Sequence, residues 1–313
     1  MSDVTEHLDR WRAAGLIDAE AAERIATFER GQPAPAPDSA PSVVEGIVYL
    51  GLAAIGVGMV VLATVNWEDL GGAARIAVVA GPAALTLLLG WLLLHSPRPE
   101  LVRGGSVAWL LSAALITLGA VVSGEEAGWA GRNVALGGGI TAILVSAALW
   151  SFSRREAQLF ALAAAIILFS FGLAERVNRD NDQPVIGGLT LLGLSLAALL
   201  LTEVALLTPR PAARALFSAT AVFAAFFAGV GSDGSLWAEA LSIPLGAGLV
   251  ILSLRRATLT YMVAGVVAVF IGLATVILRH VDDPTVAALA MILIGVVLVS
   301  GVLVLARYRP WRR

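Results

Sequence analysis

The sequence contains no cysteine and no lysine, and it is poor in charge of either sign. Asp, Glu, Lys and Arg make up 14% of its 313 residues, where a soluble domain carries about a quarter. Without cysteine there can be no disulfide, no thiolate nucleophile and no Cys-ligated zinc or iron–sulfur centre. A formal net charge of −2 offers nothing to a nucleic acid. Neither HExxH nor GxSxG occurs, so the usual signatures of a zinc protease and a serine hydrolase are missing. No continuous apolar run precedes Val43, so no cleavable signal peptide is expected, and the run from Val43 onward would serve as an uncleaved insertion signal.

What is present is apolar. Hydrophobic residues make up 58% of the chain and the mean hydropathy is +0.86. A water-soluble fold of this size could not cover that much apolar side chain, whereas a bilayer removes the need to. The expected fold class is all-α: a polytopic transmembrane helical bundle of about ten spans behind a small N-terminal helical hairpin. Residues 1–30 form the cytoplasmic hairpin, 31–42 the linker, 43–306 the transmembrane domain and 307–313 a basic cytoplasmic tail.

The hairpin is read from its punctuation. Leu8 and Trp11 mark one apolar face. Gly15 suits a left-handed helix stop, Asp18 an N-cap, and Ala21, Ile25 and Phe28 a second face. Two helices this short gain little stability in water by themselves. Trp11, Leu16, Ile17, Ile25 and Phe28 are therefore the candidate interaction surface, for the membrane domain or for a cytoplasmic protein partner. The linker, GQPAPAPDSAPS, alternates proline and favours an extended, semi-rigid spacer.

Ten stretches are long and apolar enough to cross a bilayer: 43–65, 76–94, 106–122, 134–152, 159–174, 186–207, 215–230, 240–254, 259–278 and 286–306. The count lies between eight and ten, with 240–254 the weakest because Pro244 falls near its start. With the N-terminus inside, the inner turns and the C-tail hold twelve arginines and the outer turns five, which obeys the positive-inside rule. Trp67, Trp129 and Trp237 are placed at the outer boundary, and Trp91, Trp109, Trp150 and Tyr308 near the inner one. The expected location is the bacterial inner membrane, with both termini cytoplasmic.

From Trp11 to Arg75 the chain resembles a family of bacterial membrane proteins catalogued as domain of unknown function 2157. The residues that carry the likeness are Trp11, Gly15-Leu16-Ile17-Asp18, Glu23-Arg24-Ile25, the glycines at 51, 56 and 58, Asn66-Trp67 and Arg75. The resemblance implies no activity, substrate or catalytic residue. Asn66 and Trp67 form an outer-interface motif: Asn tolerates the conformation that ends a helix, Trp anchors the interface, and Asp69 would cap the helix that follows.

Ionisable residues within spans are the usual functional signal in a membrane protein. Two are found, Glu45 at the entry of the first span and Glu203 toward the inner end of the sixth. Glu203 is the candidate intramembrane carboxylate for a proton or cation. Ser195, after Gly193-Leu194, is a faint nucleophile candidate with His280 as its base. His7, His95 and His280 fall on different surfaces, so no metal site is assigned, and neither a cofactor nor a catalytic residue is expected. The outer acidic pairs Glu68-Asp69, Glu125-Glu126 and Asp282-Asp283 are read as solvated turns in preference to a cation site. Glycines at 137–139, 187–188, 193, 246 and 248 would allow close helix packing or mark breaks along a substrate path. The resulting expectation is a non-enzymatic anchored scaffold or sensor whose partners are the lipid bilayer and a protein bound by residues 1–30. The alternative is a permease for a small, weakly polar or lipid-like solute.

Overall fold

The computed structural model describes residues 2–31, 67–177, 183–230 and 235–281, with isolated residues among 47–58, at 232 and among 283–293. The expected spans at 43–65 and 286–306, the linker beyond Gly31, Asn66 and the basic tail lie outside the continuously described stretches. The chain divides into two compact units, Met1–Gly46 and Ile47–Arg313.

In the first unit, α1 (Ser2–Ala13) and α2 (Ala19–Gly31) pack on one another. Gly15 takes a positive φ of 68°. The Leu16 amide reaches back to the Trp11 carbonyl at 3.0 Å and the Gly15 amide to that of Arg12 at 3.1 Å. This pair of bonds closes the last turn of α1 and carries Leu16 back over Trp11. Asp18 caps α2, its Oδ1 accepting from the Ala21 amide at 2.6 Å, as its side chain and position require. Leu8 is buried, while Trp11, Leu16 and Phe28 remain exposed.

The regular structure of the second unit is all helical among its described residues: α3 (Gly72–Leu94), α4 (Pro99–Glu126), α5 (Gly131–Phe152), α6 (Glu156–Val177), α7 (Gln183–Glu203), α8 (Arg210–Val230), the short α9 (Leu236–Glu239), α10 (Ser242–Arg256) and α11 (Leu259–His280). Counting α9 and α10 as one crossing, eight of these segments are long and apolar enough to span a membrane. They coincide with the eight middle stretches expected from hydropathy. The closest pairings are successive hairpins, α3 with α4, α5 with α6, α7 with α8, and α10 with α11. Their connecting turns, which carry arginine within them or at the flanking helix ends, therefore share one end of the bundle.

Three expectations need correction. The sixth span was drawn to residue 207, but α7 stops at Glu203. Ala205 adopts a φ of 66° and the Leu206 amide bonds the Leu201 carbonyl at 2.9 Å, a helix ending normally built on glycine and therefore silent in the sequence. Asp69 does not cap α3. That helix begins after Gly71, with no side-chain cap, because Asp69 lies two residues too early. Trp109 is not an interfacial anchor. It is buried, and its indole Nε1 donates to the Leu87 carbonyl at 3.1 Å, so it ties α4 to α3.

Elsewhere the helices approach to backbone contact. A Cβ placed on Gly246 would come within 2.5 Å of the Gly265 carbonyl oxygen, and one on Gly139 within 2.5 Å of the Phe169 Cα. Polar side chains stitch neighbours in the same way: Ser112 Oγ donates to the Ala83 carbonyl at 3.0 Å, and Gln158 Nε2 to that of Ser106 at 3.1 Å. The main core lies among α6, α7, α8, α10 and α11, around Leu159, Leu191, Phe217 and Tyr261.

Candidate functional site

Two buried carboxylates, at opposite ends of α8, α10 and α11, organise the charged chemistry of the bundle. Glu203 is the last residue of α7. A carboxylate is disfavoured there by the negative end of the helix dipole, so it needs cations, and the neighbouring helices supply them. Arg214, one turn into α8, grips it with two bonds, Nε to Oε1 at 2.8 Å and Nη2 to Oε2 at 3.2 Å. The Tyr261 hydroxyl on α11 donates to Oε1 at 2.7 Å. Arg256, the last residue of α10, brings Nε to 3.3 Å from Oε2. The Glu203 side chain is 10% exposed and that of Arg256 54%. One carboxylate thus joins the ends of four helices, its two oxygens sharing three partners. Of the sequence-derived candidates, Glu203 is the one the fold surrounds most fully.

The second carboxylate was not among those candidates. Glu239 ends α9, and its side chain is fully buried. Arg279, on the last turn of α11, donates Nη1 to Oε1 at 2.8 Å. The same guanidinium also binds the carbonyls of Ser232 at 2.9 Å and Val230 at 2.7 Å. It therefore caps the end of α8, whose final carbonyls have no helical partner. His280 Nε2 stands 2.7 Å from the other oxygen, Oε2. Both oxygens of a fully desolvated carboxylate are satisfied, as burial demands. The sequence carried one clue, Arg279-His280 next to each other at a span end, but the partner lies 40 residues upstream in what reads as an amphipathic turn.

The remaining candidates are dispersed. Ser195 is buried on α7 and its hydroxyl makes no hydrogen bond, while His280 is engaged by Glu239. The serine and its expected base do not meet. Gly193 lies at an open position with no atom near its missing Cβ. Trp67 has a specific role: its carbonyl accepts from Arg75 Nε at 2.9 Å, and the guanidinium stands 5.6 Å from its ring centroid. Arg75 then pairs with Glu126 at 2.8 Å, so the acidic end of α4, expected as a solvated turn, is helical and closes onto α3. Asp283 accepts from the Thr285 amide at 2.7 Å. The amides of Thr285 and Val286 hold its carboxyl below the usual range. Trp11, Leu16 and Phe28 are exposed on the first unit, with Ile17 and Ile25 half-buried. Among the described residues, no three acidic or histidine side chains converge as a metal site would require.

The Trp67–Arg75 contact falls inside a stretch that the family comparison recognises. Residues 9–125 match the family described as "Predicted membrane protein (DUF2157)". The DUF2157 stretch runs from α1 through nearly all of α4, so it takes in Asp18, Trp67 and Arg75 and stops short of both carboxylate clusters. No curated protein and no solved structure matches the chain. The protein is thus a multi-pass helical membrane protein whose residues 9–125 are similar to that family.

Proposed function

We propose that this chain is a non-enzymatic membrane-anchored scaffold or sensor in a bacterial inner membrane, with the N-terminal helices offering a surface to a cytoplasmic protein and both termini cytoplasmic. One observation carries the reading. A two-helix unit too small to hide its apolar residues leaves Trp11, Leu16 and Phe28 exposed, and such exposure in a water-facing unit favours a binding role. The bundle's character agrees with an anchor: helices in backbone contact and end-to-end ion clusters that hold four of them in register. A photo-crosslinking side chain at Leu16 in intact cells tests it. A discrete adduct that disappears with Trp11→Ala supports the reading. Diffuse or absent crosslinking at Leu16, with the chain present at normal levels, would remove it. Reporter fusions at either terminus test the assigned orientation.

A permease for a small, weakly polar or lipid-like solute is the second reading. It is favoured by the carboxylate clusters at opposite ends of the same helices, since closures on either side of one path are what alternating access requires. Unchanged uptake and export of a solute panel in a deletion strain would count against it.

A further inference from the structure

Around Glu203, cations outnumber anions. Arg214 and Arg256 face one carboxylate, and Arg210 and Arg255 sit at the same end of α8 and α10 with no ion-pair partner among the described residues. Arg214 is consumed by its two bonds to Glu203. Arg256 is not. It meets the carboxylate through Nε at 3.3 Å with a half-exposed side chain, so its terminal nitrogens keep donors to offer, and Arg255 next to it in the chain is also exposed. The surface next to this pair is strongly apolar. Leu254 is 69% exposed, Leu259 73% and Val263 55%. Arg255, without an ion-pair partner among the described residues, and Arg256, which shares one carboxylate with Arg214, stand close in sequence to these exposed apolar residues, and the combination matches an anionic amphiphile: a phosphate for the charge and acyl chains for the apolar surface. Arginine suits the first part, because its planar fork binds phosphate oxygens two at a time.

We propose that this end of the bundle holds an anionic phospholipid, its phosphate gripped by Arg255 and Arg256 and its chains lying along Leu254, Leu259 and Val263. Glu203 is a positioning residue: by taking Arg256 Nε it restricts the orientation of that guanidinium. Arg214 and Tyr261 hold Glu203 in turn.

The test uses the purified full chain in micelles doped with equal amounts of phosphatidylglycerol and phosphatidylcholine, with retained lipid counted by native mass spectrometry. The unsubstituted chain is expected to prefer phosphatidylglycerol. At the strength of a basic side chain near a lipid surface, Arg255→Gln should lower that preference about fivefold and the double substitution R255Q/R256Q about 30-fold. Arg255 makes no ion pair within the described fold, so the single variant reads out even where the double one fails to fold. R255K/R256K should keep most of the preference. Equal retention of the two lipids by the unsubstituted chain would overturn the proposal, as would a preference untouched by R255Q. Displacement of the lipid by millimolar inorganic phosphate would also overturn it, by showing a site for the free anion.

Discussion

Glu239 shows how much a single side chain can join together. Its carboxylate fixes Arg279, and Arg279 in turn closes the exposed carbonyls at the end of α8. Glu239→Ala would leave a guanidinium with carbonyl partners but no counter-charge and would open space beside His280. Breaking such a pair costs about 3 kcal/mol, at the lower end of the range for buried pairs because Arg279 keeps some hydration. Glu239→Gln preserves shape and should cost less. Thermal unfolding in detergent distinguishes them, with Ala expected well below Gln and Gln below the unsubstituted chain. At this scale the sequence was half legible. Glu203 stood out because a carboxylate late in an apolar run is conspicuous. Glu239 did not, because Trp237-Ala238-Glu239 reads as the wet side of a turn, and only the packing of α9 against the ends of α8 and α11 removes it from water. Trp109 misled for a similar reason: position along a span says nothing about which way an indole points.

At the scale of helices, small residues divide into those that touch a neighbour and those that do not. Gly246 sits against the Gly265 carbonyl, so Gly246→Ala must push α10 away from α11 and should lower the unfolding temperature by several degrees, an overpacking penalty of about 1–3 kcal/mol. Gly193 has nothing within 4 Å of its missing Cβ, and Gly193→Ala should be neutral or mildly stabilising, since alanine is the better helix former. If the two substitutions behaved alike, the close approach of α10 and α11 would be in error. In the first unit, Asp18→Ala removes the cap on the Ala21 amide and should cost α2 about 1 kcal/mol, visible as faster amide exchange at residues 19–22. The existence and order of the eight described crossings were legible because hydropathy and arginine spacing both report the bilayer. Helix ends were less so. Ala205 and Ala257 end α7 and α10 with positive φ, and alanine carries none of glycine's signal for that conformation.

On the scale of the molecule, two clusters of charge clamp opposite ends of α8, α10 and α11, and between them α10 and α11 come into backbone contact at Gly246 and Gly265. Two grooves among the described residues, one between α3 and α4 and one beside Trp129, are lined mainly by alanine, leucine, isoleucine and glycine and suit lipid more than a polar solute. The scaffold reading therefore stands or falls on whether the middle of the bundle is dry. The absence of cysteine gives a clean background for the decisive measurement. Ser170, Ser195 and Ser218 are buried on three different helices, α6, α7 and α8, and each accepts cysteine with little change in size. Ser170→Cys, Ser195→Cys and Ser218→Cys are placed singly in the full chain and exposed to a membrane-impermeant maleimide in intact cells and in inverted vesicles. A packed anchor predicts protection from both sides at all three positions, with full labelling after denaturation. Labelling at Ser195→Cys or Ser218→Cys in native membranes would mean a water-filled path through the bundle, contradicting the anchor and favouring the permease.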